Sequence, residues 1–263
     1  MKNPNEKFLT ILKNYELWIG LALSKIRVRF IRTALGPIWE VLGTLIFLIF
    51  ISIVWSKLWD KPFLEFFIYL YTGFIMWKAI YSIIADGTYL FSDTYANAFE
   101  NIKVHPLSFC FAHATKNLII LLFSFPILIF LLVFSNNLHL NSFFLTILYL
   151  CLFFVTSVSI SFIVATLCLK FRDLQFSISV FLSLLFFVTP VIWTIDQLST
   201  KSQKFIIKPN IIYHYIEFFR SSLLNGYVTS LSFVSVIIFT ILSCIVAFIL
   251  YKIVKNKLAF WIT

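Results

Sequence analysis

Six apolar runs, each long enough to cross a lipid bilayer as a helix, constrain this chain more than any other feature. They fall at Gly36–Ser56, Phe66–Phe91, Pro106–Phe134, Ser142–Leu169, Gln175–Ile195 and Ser230–Tyr251. A hydrocarbon core of about 30 Å needs about 20 helical residues. Inside it every backbone amide must be paired, so only helices or closed barrels can span. Barrel strands alternate polar with apolar residues, and runs such as Leu118–Phe134 do not. The third and fourth runs have length to spare for tilt, and Pro126 gives the third a place to bend.

Composition narrows the class further. Of 263 residues, 61% are apolar and 12% charged, against about 45–50% and about 25% in soluble domains. So little charge cannot clothe a water-facing surface. A soluble enzyme, a disordered chain and a nucleic-acid-binding domain are excluded, despite the net charge of +10. That charge sets orientation instead. With both termini in the cytoplasm, thirteen of the 21 basic residues lie on that side, and six lie outside (Lys57, Lys61, Lys201, Lys204, Lys208 and Arg220). The positive-inside bias therefore predicts cytoplasmic termini.

Residues 1–35 start polar and lack the apolar core of a signal peptide. Phe8, Ile11, Leu12, Tyr15, Trp18, Ile19, Ala22 and Ile26 share one helical face, with Leu17 and Leu21 on the other. This pattern predicts an amphipathic helix lying in the membrane interface. Between the last two spans, Asp196–Tyr227 is too apolar for a free loop, and Pro209-Asn210 breaks it into short helices expected either to dip back into the outer leaflet as an exit gate or to cap the bundle.

Chemistry-bearing patterns are absent. Cys110, Cys151, Cys168 and Cys244 form no C-x-x-C pair, and no two of His105, His113, His139 and His214 lie four apart, so no metal site is expected. The chain has neither G-x-S-x-G nor G-x-x-x-x-G-K-[ST], so it cannot hydrolyse ATP through a P-loop. Glu40, Lys78, Asp86 and Lys116 fall within the runs, where each would cost about 2.5–3.5 kcal/mol at the bilayer centre. Glu40 and Lys116 lie within a few turns of the expected cytoplasmic surface, where Lys116 can snorkel. Lys78 and Asp86 stand about 12 Å apart along a helix and cannot pair directly. The last three spans contain no acidic residue, which argues against an ion-coupled carrier.

Aromatic residues are abundant: 33 Phe, 11 Tyr and 7 Trp. Trp18, Trp39, Trp55, Trp59, Trp193 and Trp261 fall near the expected interfaces, whereas Trp77 lies inside the second span. Rings also stack on the apolar faces of sugars, so an aromatic-lined path without fixed charge would let a polysaccharide slide.

Several short patterns occur in a telling order. Arg29-Phe30-Ile31-Arg32-Thr33-Ala34-Leu35-Gly36-Pro37-Ile38-Trp39 resembles the start of the first span of ABC type-2 polysaccharide permeases. Lys103-Val104-His105-Pro106-Leu107 is similar to the start of their third span, and Lys170-Phe171-Arg172-Asp173-Leu174 to their turn between the fourth and fifth. Thr189-Pro190-Val191-Ile192-Trp193 resembles the outer end of the fifth, and Glu217-Phe218-Phe219-Arg220 the following outer helix. The chain departs from the family in having Pro209-Asn210 where Asn-Pro is usual, and Gly43-Thr44 in place of a first-span proline.

The resemblance, closest to the membrane subunit of O-antigen exporters, implies an all-α membrane protein. It would comprise an interface helix (1–35), a six-span bundle (36–251) and a cytoplasmic tail (252–263), together one transmembrane domain in a bacterial inner membrane. It implies export of an undecaprenyl-linked glycan by a homodimer working with two copies of an ATPase. ATP and Mg would be held by that partner, and this chain would carry no cofactor. Membrane lipids are its surroundings, and no nucleic acid is expected. Trp39, Phe47 and Phe50 of the first span and Phe176, Phe187 and Trp193 of the fifth would line the path. Asn97, Glu100 and Lys103, with Arg172 and Asp173, would couple to the ATPase. Pro209, Glu217 and Arg220 would form an outer gate. Teichoic acid or capsule export is the neighbouring alternative, and a membrane-embedded glycan-processing enzyme or a scaffold the rivals from other classes.

Overall fold

The computed structural model describes residues 13–95, 105–135 and 140–254, and every regular element among them is helical. α1 (Tyr15–Arg29) has Glu16 in its first turn and Arg27 and Arg29 in its last, both favourable to the helix dipole. The chain then reverses through Arg32 and Gly36, whose φ angles are 65° and 54°. Gly36 carries the left-handed conformation without a Cβ penalty, and Pro37 leads directly into α2 (Ile38–Leu58).

α2 buries a single stripe, Val41, Thr44, Leu48, Ser52 and Ser56, against α3 (Phe63–Ala85). Small polar residues on that stripe let the two backbones approach, as membrane helix pairs require. α3 is the centre of the bundle. Thirteen of its 23 residues are buried, and it continues as a 3₁₀ turn (Asp86–Tyr89) and a π turn (Leu90–Tyr95). α4 (Pro106–Leu122) starts with His105, whose Nδ1 accepts from the Leu107 N–H at 3.3 Å. It breaks at Phe123-Ser124, and α5 (Phe125–Phe134) completes the crossing. Pro126 causes this break, since it has no N–H to give the preceding turn.

α6 (Leu140–Lys170) is the longest helix, and α7 (Leu174–Val188) buries only Leu182. Short turns follow at Ile195–Gln197, Thr200–Ser202 and Gln203–Ile207. α8 (Ile211–Leu224) and α9 (Ser230–Val254) complete the fold. A hydroxyl triangle fastens the last helices to α6: Thr156 to Tyr215 is 2.8 Å, Thr156 to Thr240 2.9 Å, and Tyr215 to Thr240 3.0 Å. His105 to Tyr251 and Gln175 to Thr88 join helix termini at the end of the bundle that carries α1, while Lys61 to Thr194 joins the opposite end.

Among the described residues, five helices are long and apolar enough to cross a membrane: Ile38–Leu58, Phe63–Ser92, Pro106–Phe134, Asn141–Lys170 and Ser230–Val254. The fifth expected run behaves differently. Its helix stops at Val188, because the bulk of Pro190 disfavours helical geometry at Thr189, which is extended. At 15 residues α7 is about 22 Å long, short of the hydrocarbon core.

α1 packs on α4 through part of its expected stripe. Ala22 and Ile26 are buried, Trp18 rests 5.6 Å from Phe111, and Leu21, expected on the polar side, is half-buried, whereas Tyr15 is exposed. The protein neighbour, not the hydropathy pattern alone, decides which residues turn inward. Phe8, Ile11 and Leu12 lie outside the described residues. Of the short helices expected within Asp196–Tyr227, α8 follows the Pro209-Asn210 break and buries ten of its fourteen residues among α3, α6 and α9, while Phe205 and Ile206 before the break are exposed.

Candidate functional site

Two polar clusters and one pair of exposed aromatic faces stand out. The first cluster lies where α8 meets α3. Arg220 is 3% exposed, and its guanidinium carbon sits 3.6 Å from the centroid of the Tyr69 ring. Its Nη1 donates to the Pro190 carbonyl at 3.3 Å and lies 3.9 Å from Glu217. The space for it exists because residue 73 is glycine: a Cβ there would overlap the guanidinium. Burial raises the Glu217 carboxyl above its ordinary range, with Arg220 pulling it back.

Asn210 ties the start of α8 to the end of α7. Its Oδ1 accepts from the Tyr213 N–H at 3.2 Å, and its Nδ2 donates to Thr189 Oγ1 at 2.9 Å. The Pro209-Asn210 order thus puts an N-capping side chain at the cap position, with Pro209 exposed beside it. His214 Nε2 lies 2.8 Å from the Lys208 carbonyl and Nδ1 3.1 Å from Ser232 Oγ. A carbonyl can only accept, so the proton resides on Nε2 and Nδ1 accepts from the serine. Tyr69 donates to the Trp193 carbonyl at 3.2 Å, and Lys61 bonds Thr194 at 3.0 Å. Pro209, Glu217 and Arg220 are therefore close in sequence but differ in role: Arg220 is a buried fastener, Glu217 its neighbour, and Pro209 a surface turn.

The second cluster joins α1, α2, α3 and α4. Glu40 Oε1 lies 3.3 Å from Arg29 and 3.6 Å from Lys78, which donates to Thr44 at 2.9 Å. Further along α3, Asp86 accepts from Lys116 at 2.9 Å and from Ser82 at 2.8 Å. Lys116 does not snorkel; Asp86 offers it a carboxylate within the bundle. Lys78 and Asp86 take different partners, as their spacing requires. Asn117 contacts Ser82 at 2.9 Å and His113 at 3.1 Å. Lys25, facing this cluster from α1, is lowered to about 8 by burial and by Lys116.

α2 exposes Trp39 (53%) and Phe50 (67%), while α7 exposes Phe176 (70%) and Phe187 (67%). Phe47 is turned partly toward α3, 5.2 Å from Phe74. Trp193 is not on the α7 column at all. Helix α7 has ended, and the indole folds back to donate to the Phe187 carbonyl at 3.0 Å. Arg172 and Asp173 form the exposed turn between α6 and α7. Asn97, Glu100 and Lys103 lie outside the described residues.

A model of the ABC-2 type transporter family matches residues 19–224, from α1 to the last residue of α8. The chain belongs to the ABC-2 type transporter family. No curated protein matches it. As an ABC-2 permease it is a multi-pass membrane protein and a transporter subunit, not an enzyme. ATP hydrolysis belongs to a separate ABC ATPase with which the permease works, so the reading as a glycan-processing enzyme falls away.

The sequence reading of the permease missed Gly73, Tyr69 and Asn210 as parts of the Arg220 cluster. A signal was present for the first: Gly73 is the lone glycine of its apolar run before Asp86, and an interior helix glycine without a turn asks for a close neighbour.

Proposed function

We propose that this permease exports a lipid-linked polysaccharide of the O-antigen type across the bacterial inner membrane, as a homodimer with two ATPase copies that bind ATP and Mg. The observation that carries the reading is the set of exposed rings on the two helices that the resemblance places along the path. α2 presents Trp39 and Phe50 and α7 presents Phe176, Phe181 and Phe187, set among aliphatic neighbours such as Ile46, Val54, Val180 and Leu184. Exposed rings also occur at Phe130, Phe134, Phe143, Phe144 and Phe248, so it is the resemblance to polysaccharide permeases that singles out α2 and α7. Aromatic faces from two protomers would enclose a path on which sugars slide by stacking. α7 with the Thr189–Trp193 segment supplies a sixth crossing, and both termini are cytoplasmic. α1 lies at that membrane surface. Asn97, Glu100 and Lys103, and the Arg172-Asp173 turn, receive the ATPase, while α8 guards the outer end.

Depleting the permease in its host tests this. The expected result is loss of surface glycan with accumulation of its undecaprenyl-linked form on the inner leaflet. Normal surface glycan after depletion would refute the reading. Accumulation of a teichoic acid or capsular polymer instead would reassign the cargo.

A further inference from the structure

A cavity of about 40 Å³ lies between α2, α3 and α4, beside the Glu40–Lys78 pair. Its lining is mixed: Glu40, Thr44, Lys78, Ser82, Asn117 and Ser124 supply polar groups, and Ile75, Ala79 and Leu121 the apolar walls. Glu40 Oε1 has two cationic neighbours, yet Oε2 is buried with no hydrogen-bond partner. A buried carboxylate oxygen without a partner is costly, and ionised groups at membrane depth are costlier still. We propose that this cavity is a binding site for one or two ordered water molecules, which complete the hydrogen bonding of Glu40.

Size, polarity and charge agree on this ligand. A water needs at least about 10–15 Å³ of such space and two to four polar partners, and both conditions are met. A metal cation is disfavoured because the Lys78 ammonium already stands 3.6 Å from the carboxylate. An apolar guest would leave Oε2 unsatisfied. The water completes the set of contacts that Glu40 makes with Arg29 and Lys78, so one side chain joins the end of α1, the start of α2 and the middle of α3. This inference does not depend on the nature of the exported cargo.

Radiolytic hydroxyl labelling of the permease–ATPase complex in lipid nanodiscs, read by mass spectrometry, tests the site. Hydroxyl radicals form where water is, so buried aliphatics are modified only beside it. Ile75 and Leu121, both buried, should be modified several-fold faster than Leu48 and Leu70, which are fully buried away from the cavity. Ala79→Leu, which fills the cavity, should bring them down to the Leu48 level. Should that protein not be recovered, Ala79→Val carries the same comparison. Equal rates at all four residues in the wild type would overturn the proposal. So would excess labelling of Ile75 and Leu121 that survives filling of the cavity.

Discussion

Arg220 and Gly73 occupy one space: the guanidinium lies where the glycine would carry a Cβ. Alanine normally favours a helix interior over glycine by about 1 kcal/mol. Here the sign should invert, because Gly73→Ala must expel a buried cation from its place over Tyr69. Leaving a buried charge without its partners costs about 3–5 kcal/mol. Thermal unfolding of the purified complex should show a lower Tm for Gly73→Ala, and Arg220→Met in that background should recover part of the loss. A Tm at or above wild type for Gly73→Ala would remove Arg220 as the fastener of α8.

The aromatic faces separate into two groups when each ring is replaced by Ala. Trp39, Phe50, Phe176 and Phe187 are mostly exposed, so their variants should accumulate normally while export falls. Phe47 packs on Phe74, and Trp193 caps the end of α7. Their variants should lose protein as well, toward the lower side of the about 3–5 kcal/mol seen for buried rings. Surface glycan and permease amount, measured together, give the answer. Normal export from all four exposed-ring variants places the path elsewhere.

Lys25 gives the docking of α1 a pH dependence. Burial against α4 and the charge of Lys116 lower it from 10.5 to about 8, with Cys110 and Asp86 acting in the opposite sense. The undocked helix therefore binds more protons than the docked one. Docking tightens as pH rises from about 8 toward 10.5, and the penalty is present in full below about 8. Hydrogen exchange of α1 amides, corrected for intrinsic rates, should show greater protection at high pH, and Lys25→Met should abolish the trend. A pH-independent wild type contradicts it.

Coupling is tested by pairs of charge removals. Glu100→Ala with Lys103→Ala, and separately Arg172→Ala with Asp173→Ala, should leave the permease folded but weaken ATPase co-purification or uncouple hydrolysis from export. A pair that leaves both assembly and export at wild-type levels lies outside the coupling surface.

Much of the fold was legible because lipid enforces it. An apolar run of sufficient length has few alternatives, so the ends of α2, α4 to α6 and α9 follow the runs, and Pro126 marks the break between α4 and α5. The end of α7 was not legible, since Val191, Ile192 and Trp193 prolong the apolar run beyond the proline that stops the helix. Nor were the partners of Glu40, Asp86 and Lys116, which meet across helices whose neighbours no one-dimensional pattern names. The same holds within α8, whose helix was legible but whose partners for His214 and Arg220 were not.

That helix has a consequence for how the protein is made. Fourteen residues with an arginine, a glutamate and a histidine are too short and too polar to be inserted into a membrane as an independent segment. Much of what makes α8 tolerable belongs to other elements: Tyr69 and Gly73 upstream, Thr146 and Thr156 in α6, and Ser232 and Thr240 in α9. The last of these leaves the ribosome after α8 itself. Biogenesis must then proceed in two acts, with the long helices threaded first. α8 waits at the surface until α9 has been delivered, and only then closes the structure.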